Sequence, residues 1–588
     1  MKKYRIPFIF LAAWCTVAMV SGQDAGSGIV AFKNVRLIPM TSDKVMENQT
    51  VLVRGDRIFR VGSAEHLEIP KEAVIVDGTG KYLMPGLADM HVHLVSKTWE
   101  TPEANMFLAN GVTTIRDLTQ GTGAMSIKKW CEDFRSKKRL GPVTYNAWTI
   151  WGTEPNIAEI IPACKRNRYD CIKIDDYITK KDFYETVRRG RDSGIYIAGH
   201  IPYTVNVDDV ISAGMDELTH VELFPVVLAS NLIQGNKDKM PREKLDEEVI
   251  TNAFKLLEPV SRQNSPSYID SLHRMLDREI GKLKGKNITV ITTLVADEIL
   301  ALKYNDTLKL KSKPQNKYLP GKFWDDLRKG KDKNSYFIGH EKCADVFYDL
   351  VVYAFGELKK NDIPLVAGTD AATILGIVPG FSLHDELQLL VKAGFSPYEA
   401  IRSATHDASQ VIKKMTGEDD FGTIETDKRA DLILLDRNPL EDISSIRRPA
   451  GVMASGVWLP EEKLIQLLEV KRKLAYSVLQ EVMAKTNSAD SVIGEYKRLS
   501  ANNDLNEYFL NEYSLTSVGY DLLIKNKLDD AIKILSFNAG EYPYASNPYY
   551  FLGEAYWAKD DKKTAAGYFK KALSFDPNYD PAIKALRR

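Results

Sequence analysis

From residue 84 to about residue 415, short apolar runs alternate with longer segments in which apolar residues recur at helical spacing. Eight of the runs predict strands: Leu87–His93, Thr113–Asp117, Val143–Thr149, Cys171–Asp175, Tyr196–His200, Glu217–Glu222, Thr289–Leu294 and Leu365–Asp370. Strands that alternate with amphipathic helices predict a parallel sheet. Eight such units in about 330 residues predict an α/β fold, a (β/α)8 TIM barrel with insertions, over residues 84–415. The flanks follow another pattern. Ile29–Phe32, Thr50–Val53 and Ala73–Val76 are short strands broken by Gly55-Asp56 and Asp77-Gly78. Ala430–Leu435 and Gly451–Trp458 share that texture. Residues 29–83 and 416–460 therefore predict one small β-sandwich domain, split in sequence by the barrel.

Residues 461–510 are charged and helical, a connector. Residues 511–588 repeat with a period of 34: Gly519 recurs as Gly553, Ala531 as Ala565, Leu535 as Phe569 and Pro543 as Pro577. The small residues let paired helices approach, and the prolines stop the second helix of each pair. Leu552-Gly-Glu-Ala-Tyr556 fits the first-helix core of a tetratricopeptide repeat, so an all-α region of two repeats and a final helix, Pro581–Leu586, is predicted. Such a region binds a protein partner or caps the chain. Two insertions interrupt the barrel. Residues 225–286 are helical with a polar middle, and residues 303–340 are rich in Lys, Asn and Gly. The second predicts a mobile loop over the barrel mouth, or else a solvated excursion.

The N-terminus predicts export. Lys2, Lys3 and Arg5 precede an apolar run, Ile6–Val20, that is too short to favour a membrane span, and Val20-Ser-Gly22 offers small residues for cleavage. A signal peptide over residues 1–22 places the mature chain in the periplasm or outside the cell. Trp14 before Cys15 argues against a lipoprotein cleavage site. The chain is 44% hydrophobic and 27% charged, an ordinary globular composition. Its net charge of zero falls to −3 when three cations and no acid leave with residues 1–22, so no basic surplus points to nucleic acid. Cys131, Cys164, Cys171 and Cys343 match no zinc motif; Cys171 predicts core packing, and a disulfide among the other three suits an oxidising compartment.

Chemistry collects at the strand ends. His91 and His93 are two apart on the first strand and share a face, so both imidazoles can reach one ion. On the fourth strand, Cys171, Lys173 and Asp175 share the face opposite Ile172 and Ile174, which sends Lys173 into the barrel. The fifth strand ends at His200, the sixth carries His220, and the eighth ends in Gly368-Thr-Asp370. Each residue alone has a plain structural explanation; the set together predicts a metal site.

With these motifs the chain resembles the amidohydrolase superfamily, in its imidazolonepropionase-like and prolidase-like branch. The resemblance rests on Met84-Pro-Gly-Leu-Ala-Asp-Met-His-Val-His93, Gly111–Asp117, Cys171–Ile174, Gly199-His200, Leu218-Thr-His220, Ala367–Ala372, Phe381–Leu387 and Gly422–Leu432, and covers about residues 29–460. It implies two divalent metal ions, usually zinc: His91, His93 and Asp370 on the first, His200 and His220 on the second, and Lys173, carboxylated on its amine, bridging them. It also implies a hydroxide held between the metals as nucleophile, with Asp370 taking its proton and passing it to the leaving amine. The family commonly has Glu before the sixth-strand histidine; Thr219 stands here, which bears on substrate subtype. His384 and His406 read as structural, with Asp385 or Glu386 as partners, and Arg116 and Asp117 as a structural pair. Tyr203 is either a hydrogen-bond donor to substrate or a packing aromatic; Lys309, Lys311, Lys313, Lys317 and Lys322 either add positive potential at the mouth or form a solvated face. The function expected is a secreted hydrolase of the amide bonds of dipeptides or N-acyl amino acids. The alternatives are a hydrolase of a cyclic amide, lactone or carbamate, and a scaffold acting through its repeats, against which the intact ligand set argues.

Overall fold

The computed structural model describes residues 28–94, 99–119, 124–150, 152, 156–263, 266–329, 337–372, 376–503 and 505–588. The signal peptide expected at residues 1–22 lies outside them.

Eight barrel strands form one parallel sheet in sequence order: Leu87–Val92, Val112–Asp117, Val143–Ile150, Cys171–Ile174, Tyr196–Gly199, Glu217–Thr219, Thr289–Ile291 and Leu365–Val366. Backbone hydrogen bonds close the ring from the last strand to the first. Met90 N–H donates to Ala367 O (3.0 Å), Asp370 N–H to His91 O (2.8 Å) and His93 N–H to Ala371 O (2.8 Å). Most strands end earlier than the apolar pattern predicts, because their last polar residues leave the ladder. His220, Thr293 and Asp370 adopt φ of 78°, 61° and 62°. Positive φ is costly for residues other than glycine and clusters at functional sites, where packing on all sides holds it. Gly199 is dictated sterically: a Cβ there would lie 2.2 Å from Ile174 O. The backbone bond from His200 N–H to Ile174 O (2.9 Å) needs that close approach.

The barrel interior is filled by Met90, Tyr145, Ala147, Cys171, Tyr196, Ala198 and Ile291. Arg116 is buried there and grips Glu217 through both guanidinium nitrogens (Nη1 to Oε2, 2.9 Å). Asp117 instead accepts from Leu94 N–H (2.9 Å) and Thr119, so Arg116 and Asp117 do not pair with each other. Among the described residues the four cysteines are free and buried, which corrects the expected disulfide.

The two β segments do join, through Leu432–Leu435 paired antiparallel to Tyr82–Pro85. They make one continuous eight-stranded sheet rather than the two separate sheets of a sandwich. The sheet curls until its edge strand Arg57–Ser63 meets the other segment, with Ile58 N–H donating to Lys428 O (2.9 Å) and Ala430 N–H to Asp56 O (2.8 Å). This encloses Phe32, Val35, Leu37, Val51, Leu432 and Met453. The insertions also differ from expectation. Residues 303–340 are not a loose loop where described: they hold helices Thr307–Ser312 and Gly321–Arg328, tied down by Lys313 to Glu298 (2.6 Å) and Asp385 (3.2 Å).

The C-terminal helices pair as the period of 34 requires: Glu512–Ile524 with Leu528–Glu541, and Ser546–Ala558 with Lys562–Phe575. Gly519 lies against Leu535 and Gly553 against Phe569; a Cβ would come within 2.6 and 2.3 Å of those side chains. This region is docked on the barrel, not tethered. Trp130 Nε1 donates to Leu510 O (2.8 Å) and stacks edge-on with Phe509, Asn506 bonds Asn105 (2.9 Å), and Arg472 pairs with the buried Glu103 (3.1 Å). A chain ending at residue 500 therefore strips the cover from Trp130 and Phe134 and leaves polar groups without partners. We expect its melting midpoint to fall by about 4 °C or more; an unchanged midpoint in differential scanning calorimetry would show that the docking contributes nothing to barrel stability.

Candidate metal centre and active site

The sequence-predicted ligands converge at the C-terminal ends of the barrel strands, where barrel enzymes hold their chemistry. His91 Nε2 is 3.1 Å from His93 Nε2 and 3.4 Å from Asp370 Oδ1, and His93 Nε2 is 2.9 Å from Asp370 Oδ1. Zinc binds nitrogen and oxygen at ~2.0–2.2 Å, so two atoms on one tetrahedral ion stand roughly 3.3 Å apart. The three atoms thus form one face of such a coordination shell. Lys173 is 1% exposed, and its Nζ is 3.5 Å from His91 Nε2. Among the described residues no carboxylate pairs with it.

The second ligand pair faces the first. The His220 ring centroid is 4.4 Å from His91 and 5.0 Å from His200. His200 Nδ1 is 2.8 Å from Asp176 Oδ1 and 3.3 Å from Asp175 Oδ1, while its Nε2 is buried with no hydrogen-bond partner. A carboxylate that accepts Nδ1–H fixes the tautomer and leaves the Nε2 lone pair for a metal. His220 Nδ1 is hydrogen-bonded too, 2.9 Å from Thr293 Oγ1. The orphaned His200 nitrogen and the three-atom face fit a two-ion centre.

Charge supports the arrangement. Burial opposes ionisation of Asp370, but His93, His220 and Lys173 outweigh it and hold the carboxyl down to about 2. Burial likewise opposes a charged His200, but Asp176 and Asp175 push it up to about 10. Behind the site Asp89 accepts from Thr369 N–H (3.0 Å) and Thr369 Oγ1 (2.6 Å), locking the first strand to the loop that carries Asp370.

Several of these residues escaped sequence reasoning. Asp89, Asp176, Thr293 and Glu222 position ligands or flank them, as does Asp175, expected only to share the face of Lys173, and their signal was simply adjacency to a strand end. Tyr203 packs edge-on to Tyr177 and against Ile233, Leu245 and Val249 of the helical insertion. Of the loop lysines, Lys313 is spent on Glu298 and Asp385, and Lys322 pairs with Asp326 (2.8 Å). His384 bonds the Asn110 carbonyl (2.9 Å) rather than Asp385 or Glu386, and His406 pairs with Asp407 (2.9 Å).

The amidohydrolase family model matches residues 349–459. An imidazolonepropionase of Alkaliphilus metalliredigens is 39% identical over 88 residues, 14% of this chain and 21% of that protein. The chain thus spans about a fifth of the length of that curated relative. Among solved structures, a Xaa-Pro dipeptidase with bound methionine superposes with a TM-score of 0.50 at 19% identity, over 74% of this chain and 100% of that one. Bottromycin amidohydrolase does so with a TM-score of 0.52 at 20% identity, over 76% and 89%. The family match is confined to residues 349–459, and the solved structures share the fold of the chain at low sequence identity.

The Asp176 carboxylate carries a specific expectation. Asp176→Asn keeps the shape but weakens the hold on His200, so metal affinity should fall by about 10–100-fold. Elemental analysis after dialysis against graded chelator reads this directly, and retention equal to wild type would remove Asp176 from the centre.

Proposed function

We propose that the chain is an exported, two-zinc amidohydrolase that cleaves the amide bond of dipeptides or N-acyl amino acids. The convergence of His91, His93 and Asp370 on one point, with buried Lys173 beside it, carries the reading. When bound, the ions polarise the amide carbonyl and make water nucleophilic at neutral pH. His91, His93 and Asp370 would hold one, His200 and His220 the other. A buried ammonium without an anionic partner is costly; Lys173 carboxylated by CO2 would be an anion, which would remove that cost and add a ligand for the ions. Asp370, ionised at neutral pH, accepts the proton released from water. It then delivers that proton to the departing nitrogen, so the amine leaves neutral while the carbonyl carbon keeps the new oxygen. Tyr203, on the wall above the fifth strand, is proposed to donate to the substrate carboxylate. The positively charged N-terminal segment and the apolar run after it support export to the periplasm or beyond. The paired C-terminal helices support a tetratricopeptide-like unit that binds a protein partner.

A second reading, hydrolysis of a cyclic amide, is favoured by the match to imidazolonepropionase. A panel of dipeptides and N-acyl amino acids, their C-terminal amides, and cyclic imides and lactones separates the two. We expect turnover of the free acids above the amides; turnover of the cyclic compounds alone would install the second reading.

Two variants test the machinery. Asp370→Asn should fold and lose about 10²-fold or more in turnover, as for loss of a general base; near-normal rates would refute its role. Lys173→Ala should lose most of its metal and nearly all activity, with partial rescue by a short carboxylic acid. Full metal content in that variant would contradict bridging.

A further inference from the structure

We propose that the cleft between the two insertion helices, Thr307–Ser312 and Gly321–Arg328, is a binding site for an organic anion with an aromatic body. None of its lining residues belongs to the metal-ligand set, so the site stands whether or not the hydrolase reading does.

The cleft has a volume of about 650 Å³, inside the range of roughly 300–1,000 Å³ that small-molecule sites occupy. Its wall carries one sign of charge. Lys311, Lys313, Lys317 and Arg328 line it and no Asp or Glu does, although the chain holds 79 cations and 79 acids in all. Like charges around a concave surface add their potentials. Two of the four are neutralised, Lys313 by Glu298 (2.6 Å) and Asp385 (3.2 Å), and Arg328 by Asp325 one turn back. Among the described residues no carboxylate pairs with Lys311 or Lys317; Lys317 Nζ lies 4.9 Å from the centre of the Tyr318 ring. Exposed lysines are ordinary on a flat surface. These two stand in a hollow beside Trp324 and Leu327, whose side chains are only partly covered.

The hollow is preformed. Each helix sends one apolar residue into the core, Leu310 and Phe323. Between the helices, Gln315 Nε2 donates to Asp385 (2.6 Å) and Tyr318 stacks on Phe381 with ring centres 5.2 Å apart. Asp385 and Phe381 lie on Phe381–Lys392, the helix after the last barrel strand, and Glu298 lies on Leu294–Asn305, the helix after the seventh. Walls fixed in this way cost a ligand less ordering than a loose lysine-rich loop would. The ligand class follows from what the walls offer. The two free ammoniums take carboxylate or phosphate oxygens as point charges. Trp324 offers a face for a ring. A hollow of this size has room for both parts together.

Calorimetric titration of the purified full-length protein tests the site with four probes: phenylphosphonate, phenylacetate, inorganic phosphate and benzyl alcohol. Anions that go to the barrel site bind wild type and cleft variants alike, so the difference between them reports the cleft. The double variant Lys311→Gln/Lys317→Gln should weaken both ring-bearing anions by about tenfold or more, the loss expected for two charge-assisted contacts at an exposed site. Benzyl alcohol should bind weakly and equally to both proteins. Trp324→Leu should weaken the ring-bearing anions and leave inorganic phosphate unchanged. The lysine variant alters exposed side chains only, so it keeps the test sound should Trp324→Leu fail to fold. The order of phenylphosphonate and phenylacetate then tells a phosphate ester from a carboxylate. Isotherms identical in wild type and the lysine variant would overturn the site. Inorganic phosphate binding the cleft as tightly as phenylphosphonate would overturn the organic ligand.

Discussion

Closure of the barrel between its first and last strands is the constraint on which the site depends. The last strand is only Leu365–Val366, so regular pairing supplies little. The ring is finished by irregular backbone bonds from His91 and His93 to residues 370 and 371, and by Asp89 gripping Thr369. Those same bonds force Asp370 to a φ of 62° and bring its carboxylate onto the two histidines. The convergence of His91, His93 and Asp370 is therefore a consequence of how the barrel closes. A buried carboxyl such as Asp89 pays for its place by making three hydrogen bonds, and burial still pushes it up to about 8.

Around the ligands, acids do the orienting. Each histidine of the second pair has a polar group behind its Nδ1, Asp176 for His200 and Thr293 for His220. This is how a protein selects which ring nitrogen faces a metal. The neighbouring buried carboxyls Asp175 and Glu386 also have partners, His200 Nδ1 at 3.3 Å and Val295 N–H at 2.7 Å. Connector residues ahead of the paired C-terminal helices brace the barrel: Arg472 and Asn506 reach Glu103 and Asn105, on the helix after the first barrel strand.

Much of this was legible in the sequence, for physical reasons that differ residue by residue. Barrel strands announce themselves because both faces are buried, and His91, His93, Lys173, His200, His220 and Asp370 stood out as polar residues inside such runs. Gly553 and Phe569 declared a helix contact through their shared period. The partners of the ligands did not declare themselves, since Asp176 or Thr293 at a strand end resembles any helix-capping residue. The single curled sheet looked like a sandwich because alternation reports a buried face and says nothing of how edges meet. Residues 303–340 read as loop because a Lys-rich composition hides the buried Phe323 and the ion pairs of Lys313. The docking of Phe509 and Leu510 on Trp130 left no periodic signal at all.

The central claim is a two-ion centre bridged by a modified lysine. Crystals of the purified protein, measured above and below the zinc absorption edge, test it most directly. The account predicts two anomalous peaks. One is equidistant from His91 Nε2, His93 Nε2 and Asp370 Oδ1, the other lies against His200 Nε2 and His220, and density extends beyond Lys173 Nζ between them. A bare Lys173 ammonium with no peak at the His91–His93–Asp370 face, from protein grown and purified in zinc, would contradict it.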